Sequence, residues 1–235
     1  LARHLCETFP ANFAGLHPCG QNTGEWFYDG LWDRKLSSYE EPAREAFRQF
    51  LRAKYGSDEG LRRAWHDPDA AIELVEPPSV RDRTRATAGS FRDPLIEQHV
   101  IDFYEFTNIE MADAALTFAR VIREAAPDKL SVHFYGYHFE VSNAPFGLQS
   151  SGHLAMRRVL DSPDVDILCS PVSYLDRMSG GGGYLMAAVD SVHLAGKMWL
   201  IEDDTRTHLG EQDPVYQMQH LADARETNGV LARNF

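Results

Sequence analysis

The run Leu130-Ser-Val-His-Phe-Tyr-Gly-Tyr137 predicts a buried strand, because its length and its β-branched and aromatic residues are typical of one. Apolar residues at helical spacing precede it from Pro94 to Ala126, and Pro127 ends that helix. A further helix is predicted from Ser150 to Leu160, followed by the strand-like run Val165 to Ser170. The alternation of strand, helix and strand is typical of parallel βαβ units, so we predict an α/β fold.

The same alternation continues outward from this centre. The other predicted elements are, in chain order, a strand at Phe13 to Gly20, helices at Pro42 to Gly56 and Ser57 to Trp65, a helix at Tyr184 to Ala195, a strand at Lys197 to Glu202 and a last helix from Pro214. Residues 67 to 91 contain several prolines and no clear period, so we expect an ordered surface loop there. The chain therefore predicts four parallel strands in one domain.

The balance of charge limits the classes of partner. Lys and Arg number 23 against 35 Asp and Glu, a formal net charge of −12, whereas nucleic acids and anionic membranes bind clustered basic residues. We expect a neutral or cationic small ligand, no nucleic acid and no membrane, since no run approaches the roughly 20 apolar residues of a membrane helix. Cys6, Cys19 and Cys169 are odd in number and widely spaced, which indicates buried thiols rather than a disulfide framework or a zinc site.

Ligand sites of parallel α/β folds lie at the carboxyl ends of the strands, where the loops converge. The residues that follow the four predicted strands are Gln21, Glu25 and Trp26, then Tyr135, Tyr137 and His138, then Ser170 and Tyr174, then Glu202, Asp203, Asp204 and Arg206. Aromatic faces stack on sugar rings, and paired carboxylates supply the groups that cleave a glycosidic bond. The set suits a carbohydrate ligand, although acidic residues after strands also serve as helix caps and solvated loop charges.

One segment resembles a known family. Phe47-Arg-Gln-Phe-Leu-Arg-Ala-Lys-Tyr-Gly-Ser-Asp-Glu-Gly-Leu-Arg-Arg-Ala-Trp65 is similar to a segment that follows the acid/base strand of glycoside hydrolase family 42 β-galactosidases. The resemblance implies a clan A (β/α)8 TIM barrel with the acid/base glutamate after the fourth strand and the nucleophile glutamate after the seventh. Counting the Phe13 strand as the fourth makes the Lys197 strand the seventh. The chain is then an incomplete barrel of about strands four to seven with their helices.

The resemblance implies a retaining glycoside hydrolase that acts on a β-linked glycoside, such as a β-galactoside, by double displacement. Glu25 would be the general acid/base and Glu202 the nucleophile. The expected substrate-binding residues are Gln21, Trp26, Tyr135, Tyr174 and Arg206. We expect Arg206 to keep the pKa of Glu202 low, and Trp26 together with the charge of Glu202 to raise the pKa of Glu25.

Gly24 departs from the family pattern, which has asparagine immediately before the acid/base glutamate. The departure indicates a divergent branch of the clan, in which either another residue contacts the sugar 2-hydroxyl or the substrate differs.

Two alternatives compete with the glycosidase hypothesis. The first is a non-catalytic carbohydrate-binding barrel, in which one glutamate is out of position. The second is a metal-dependent hydrolase that uses three histidines and an acidic pair, namely His133, His138, His208, Asp203 and Asp204. We rank the second lower because no His-x-His or His-Glu-x-x-His pattern occurs, and we expect no metal and no cofactor.

The chain begins without Met and ends beside a predicted helix, so we expect residues 1 to 235 to be a partial catalytic barrel domain truncated at both ends. A barrel without its other strands leaves two sheet edges unpaired. We therefore expect association of this chain when it is made alone, and a homo-oligomer of the full-length protein is compatible with the sequence. The compartment is left open.

Overall fold

The computed structural model describes residues 1–89, 91–139, 145–210 and 220–235. Four parallel strands form one sheet in chain order, and these strands are β1 (Gly15–Leu16), β2 (Leu130–Phe134), β3 (Ile167–Pro171) and β4 (Met198–Glu202). Helices separate each pair of neighbouring strands along the chain. The predicted α/β fold with a parallel sheet is confirmed.

The helices before the long central helix have clear start and stop signals. Helix α1 (Ala2–Thr8) precedes β1, and α2 (Glu41–Tyr55) and α3 (Asp58–Trp65) follow it with nearly the predicted bounds. Gly56 ends α2 in the left-handed conformation at φ 75°, which glycine adopts without strain. The Ser57 hydroxyl caps α3 by accepting a hydrogen bond from the Gly60 amide at 3.2 Å.

The segment predicted as an ordered loop contains a 3-10 turn at Ile72–Leu74 and the short helix α4 (Val80–Thr84). Helix α5 (Pro94–Ala125) then runs for 32 residues, and the Asp93 carboxylate caps it by accepting from the Leu95 amide at 2.9 Å. Within the described residues, no helix is both long and apolar enough to cross a membrane.

The helices on the carboxyl side are shorter than predicted. Helix α6 (Met156–Leu160) begins late because Leu148–Ser150 forms a separate 3-10 turn. Helix α7 (Val189–Leu194) also begins late, because the Tyr184 carbonyl accepts a hydrogen bond from the Ser173 amide beyond β3. Pro214, the predicted start of the last helix, lies outside the described residues; α8 spans Ala224–Asn234.

Buried side chains form three clusters. The first lies between the sheet and helices α5 and α6, and the second joins α2, α3 and α5. The third lies near the carboxyl ends of the strands and consists of Phe27, Leu31, Tyr137 and Met186. The prediction of buried thiols holds for Cys169 alone, since Cys19 is exposed and Cys6 is partly exposed.

Candidate active site

Glu25 lies in a tight loop beyond the carboxyl end of β1, formed by residues 20 to 26 and hereafter called the Glu25 loop. The loop closes through hydrogen bonds from the Trp26 amide to the Gly20 carbonyl at 3.0 Å and from the Gly20 amide to the Gly24 carbonyl at 3.1 Å. Gln21 and Trp26 have φ values of 59° and 64°, and Gly24 has 80°. Left-handed backbone at non-glycine residues is uncommon and often marks a functional site. The loop therefore fixes the direction in which the Glu25 side chain leaves the backbone.

Glu202 is the last residue of β4 and pairs in register with Pro171 of β3. Its Oε2 atom is buried and has no hydrogen-bond partner within the described part of the chain. A buried carboxylate oxygen without a donor is costly unless a ligand or water supplies one. Glu202 thus has an acceptor atom available for a ligand.

The structure brings the two glutamates into one electrostatic neighbourhood, hereafter the carboxylate pair (Glu25 and Glu202). Burial raises the pKa of Glu25, with a further contribution from the charge of Asp204, while Thr23 and Tyr137 oppose the rise. Burial also raises the pKa of Glu202, and the charges of Glu25 and Asp204 add to it. Because the charge of Glu25 raises the pKa of Glu202, the two carboxyls do not ionise easily at the same time.

The expectation of a low pKa for Glu202 is wrong. Arg206 binds Asp204 instead, with its guanidinium 2.7 Å from the Asp204 carbonyl oxygen and 3.2 Å from the carboxylate. The cation that favours ionised Glu202 is Arg177, which lies in the loop after β3. Because burial and two neighbouring carboxylates outweigh Arg177, the pKa of Glu202 is raised.

A hydrogen-bonded network holds the third carboxylate, Asp204. The buried Arg177 guanidinium donates to Asp204 Oδ1 at 2.6 Å, and the Tyr174 hydroxyl donates to Oδ2 at 2.5 Å. The Arg177 guanidinium also stacks on the Tyr174 ring at 3.7 Å. The Asp203 carboxylate has different partners, since it accepts hydrogen bonds from the Thr205 amide and the Asn234 side chain.

Two further side chains complete the surroundings of the carboxylate pair. The Tyr137 hydroxyl lies beside Glu25, and burial followed by the charge of Glu25 raises its pKa well above the ordinary value. Burial and the charges of Glu202 and Glu25 raise the pKa of the Cys169 thiol to about 12, so the thiol is protonated at neutral pH. The site therefore presents two neutral groups, a phenol and a thiol, to a pair of carboxyls.

The predicted substrate-binding residues divide into two groups. Tyr174 and Arg206 both bind Asp204, whose charge acts on both members of the carboxylate pair. Gln21 is exposed in the Glu25 loop. Trp26 and Tyr135 are instead part of the core, with exposures of 1% and 0%. Trp26 packs against Phe118 at 5.4 Å between ring centroids, and at these exposures neither the Trp26 ring nor the Tyr135 ring has a free face for a sugar. Their assignment to substrate binding is corrected.

The residues of the metal-dependent alternative do not converge. The buried His133 ring bonds the Ser131 hydroxyl at 2.8 Å, and burial lowers its pKa to about 4. His138 contacts the His153 carbonyl and His208 contacts the Thr227 hydroxyl, each at 2.9 Å. Across the described ranges, no group of three or more His, Cys, Asp or Glu side chains is arranged to hold a metal ion.

Sequence reasoning did not place Arg177, Cys169 and His153 in the site. Arg177 precedes a glycine-rich loop, Cys169 lies within a strand, and His153 lies between two short helical turns. Their contacts join parts of the chain that are far apart, such as His153 and the Glu25 carbonyl. Charge was the available signal for Arg177, since a site with three carboxylates requires a compensating cation.

A cavity of about 1420 Å³ lies elsewhere, among α4, α5, α6 and residues 145–147. Neither member of the carboxylate pair lines it. We assign the candidate active site to the strand ends rather than to this cavity, because the acidic and aromatic groups converge at the strand ends.

Four parallel strands in chain order, separated by helices and with candidate catalytic carboxyls after the first and at the end of the last, define part of a (β/α)8 barrel. The catalytic domain of β-amylase from Paenibacillus polymyxa is similar, with a TM-score of 0.66 and 17% identity over 87% of this chain and 55% of that domain. At this identity the likeness shows the fold. The chain spans about half the length of that domain.

Two β-galactosidases are also similar in structure. The enzyme from the Antarctic haloarchaeon Halorubrum lacusprofundi has a TM-score of 0.48 and 20% identity over 75% of this chain and 22% of its own. The enzyme from the psychrophilic Marinomonas ef1 has a TM-score of 0.47 and 15% identity over 99% of this chain and 41% of its own. No protein-family model matches the chain, and no curated protein sequence does.

Proposed function

We propose that residues 1 to 235 are part of the catalytic domain of a retaining glycoside hydrolase, with Glu25 as general acid/base and Glu202 as nucleophile. The observation that carries the proposal is the carboxylate pair itself. Two glutamates at the carboxyl ends of β1 and β4 interact electrostatically at the position where parallel α/β folds bind ligands. The fold, which is shared with a β-amylase catalytic domain, is compatible with this activity.

The proposed substrate is a β-linked glycoside, and a β-galactoside is the first to test because of the resemblance of Phe47 to Trp65. That segment packs in the helical cluster of α2, α3 and α5, away from the carboxylate pair. It therefore supports the fold rather than the identity of the sugar. Tyr174, Arg206 and Gln21 remain the proposed contacts to the glycoside.

In the proposed first step, the Glu202 carboxylate attacks the anomeric carbon while the bond to the leaving oxygen breaks and Glu25 donates its proton to that oxygen. In the second step, ionised Glu25 removes a proton from water, and the water oxygen displaces Glu202 from the sugar. Each carboxyl must hold its own protonation state at the same pH. Arg177 favours the ionised form of Glu202, whereas burial and the charge of Asp204 favour the protonated form of Glu25.

Glu25→Gln and Glu202→Gln test the proposal with two substrates, an aryl β-galactoside with a good leaving group and a natural β-galactoside. Glu25→Gln is expected to lower the rate on the natural substrate by about 10²–10⁴-fold and the glycosylation step on the aryl substrate far less, since a good leaving group does not need a proton. Glu202→Gln should abolish both reactions, because no nucleophile remains. Proton NMR of the first-formed product should show the retained β anomer.

Glu124→Gln is the matched control, because Glu124 is an exposed glutamate near the end of α5 and should tolerate the change. Equal losses on both substrates for Glu25→Gln would refute its acid role. An inverted product would keep the hydrolase and reject the double displacement. Saccharide binding without hydrolysis by the full-length protein would favour the non-catalytic carbohydrate-binding barrel.

A further inference from the structure

His153 joins the Glu25 loop to the segment that follows β2. Its Nε2 atom lies 3.0 Å from the Glu25 carbonyl oxygen. Its Nδ1 atom lies 3.1 Å from the Gly136 amide and 3.3 Å from the Tyr137 amide. A single side chain thus contacts the backbone of two residues whose side chains line the site, Glu25 and Tyr137.

The partners of the ring define its tautomer. Two amide N–H groups point at Nδ1, so this nitrogen must be the acceptor and carries no proton. Nε2 then carries the proton and donates a hydrogen bond to the Glu25 carbonyl oxygen, which can only accept. Protonation of Nδ1 would set a third donor against two amides. Independently of these contacts, burial lowers the pKa of His153 to about 3, so the ring is uncharged near pH 7.

Two aromatic rings also stack on the His153 ring and hold its plane. Phe27 stacks on the ring at 4.3 Å between centroids with an interplanar angle of 16°, and Tyr135 stacks at 4.6 Å and 13°. Phe27 follows Glu25 by two residues, and Tyr135 precedes Tyr137 by two. The two stacked rings therefore belong to the same two segments that the hydrogen bonds join.

We propose that His153 is a positioning residue that holds the Glu25 backbone at a fixed distance from Tyr137, so that the acid/base carboxyl and the Tyr137 hydroxyl stay aligned on the substrate. This inference rests on the proposed function. Glu25 lies in a loop in which several residues have left-handed backbone conformations. Such a loop needs a contact from another part of the chain to keep one geometry. His153 supplies that contact through its hydrogen bond to the Glu25 carbonyl.

His153→Phe and His153→Asn separate the two kinds of contact. Phenylalanine keeps the stack between Phe27 and Tyr135 but removes the three hydrogen bonds. Asparagine retains an acceptor for the two amides but is too short to reach the Glu25 carbonyl. We expect both variants to lower kcat by about 100-fold, the effect of a small misplacement of a catalytic group, with a change in KM of less than about threefold. The pH at which the Glu25 carboxyl titrates, followed by ¹³C NMR, should fall because the loosened loop admits water.

His133→Asn is the matched control, since His133 is an equally buried histidine of β2 that bonds Ser131 and does not contact the Glu25 loop. It should lower stability without moving the Glu25 titration. If His133→Asn and His153→Asn shift the titration equally, His153 has only a structural role and the proposal is overturned.

A measurement on the unaltered chain covers the case in which the His153 variants do not fold. Long-range ¹H–¹⁵N NMR should show His153 with bare Nδ1 and protonated Nε2 from about pH 5 to 8, the range in which an ordinary histidine titrates. The opposite tautomer, or titration near the ordinary histidine pKa, would overturn the proposal. Failure of the full-length protein to hydrolyse any glycoside would refute the proposed function, whereas the Glu25 titration would still decide the role of His153.

Discussion

At the scale of single residues, the raised pKa of both glutamates determines how the site affects stability. A carboxyl whose pKa is raised on folding stabilises the fold below its unfolded pKa, and this contribution is lost as pH rises through the folded pKa. At neutral pH the ionised carboxylate pair therefore destabilises the protein. Function and stability oppose each other here, as is common at active sites.

Glu25→Gln and Glu202→Gln should each raise Tm by a few degrees at pH 7 and change it little at pH 4, because the substitution removes a buried charge that exists only at the higher pH. Thermal unfolding followed by circular dichroism at both pH values measures this. Glu124→Gln, at an exposed position, should leave Tm unchanged at both. A decrease of Tm at pH 7 for either site variant would show that contacts in the folded protein stabilise the ionised carboxylate, contrary to this argument.

Arg177 should control the acid side of the pH profile. Its buried guanidinium binds Asp204 and favours ionised Glu202, so Arg177→Met leaves Asp204 without its main cation and raises the pKa of Glu202 further. The acid limb of kcat/KM should move to higher pH, and activity near pH 5 should fall roughly tenfold or more. Arg177→Lys should reverse part of this shift, since it returns the positive charge but not the full set of guanidinium hydrogen bonds that holds Arg177 beside Asp204. An unchanged acid limb would contradict the role of Arg177.

The identity of these residues was only partly predictable. Glu25 and Glu202 follow strands, and a position after a parallel strand is a signal that one sequence can carry. Trp26 and Tyr135 follow strands too, but their large rings fill the space between the sheet and α5, which the sequence does not specify. Arg177 and His153 act through contacts between distant segments, and such contacts exist only in the folded chain.

At the scale of elements, the segment Phe47 to Trp65 is explained by packing. Phe47, Leu51 and Leu61 are buried against α5, and the fully buried Asp102 of α5 accepts hydrogen bonds from Tyr55 at 2.8 Å and Trp65 at 2.6 Å. Lys54 and Gln98 also donate to this carboxylate. The residues that carry the family resemblance therefore attach α2 and α3 to α5.

Asp102→Asn should lower the free energy of unfolding by about 3 kcal/mol, because an amide turns a donor toward Lys54 and Gln98 and removes the buried charge. Urea unfolding measures this loss. Glu105→Gln is the control, since Glu105 binds the same Lys54 from an exposed position and should cost less than about 1 kcal/mol. Equal effects of the two substitutions would mean that the burial of Asp102 contributes nothing.

Elements with local signals were predicted closely, and those without them were not. Pro42, Gly56, Ser57 and Pro94 set the ends of α2, α3 and α5 through capping and backbone geometry, which depend on neighbouring residues. Helix α7 was predicted too long because Tyr184 pairs with the segment beyond β3, a contact that no local pattern records. Long-range pairing overrides local helical spacing at this position.

At the scale of the whole molecule, the sheet ends in two strands that have one neighbour each within the described residues, β1 and β4. Met198 and Leu200 of β4 have exposures of 49% and 45%, so an edge strand presents apolar side chains to solvent. Such edges pair readily with other strands. The net charge of −12 opposes association through repulsion between copies.

We expect the chain to self-associate through β4, and to do so more strongly as salt screens its negative charge. Met198→Lys combined with Leu200→Lys should shift it toward the monomer at equal concentration, because two lysines on an edge strand oppose strand pairing. Light scattering coupled to size-exclusion chromatography, at low and high salt, measures this. Leu74→Lys, at a more exposed leucine away from the sheet, should have no such effect. A monomer at every salt concentration would show that the exposed apolar area along β4 is too small to overcome the repulsion between negatively charged copies. Association that Leu74→Lys disrupts equally would show that the contact does not involve β4.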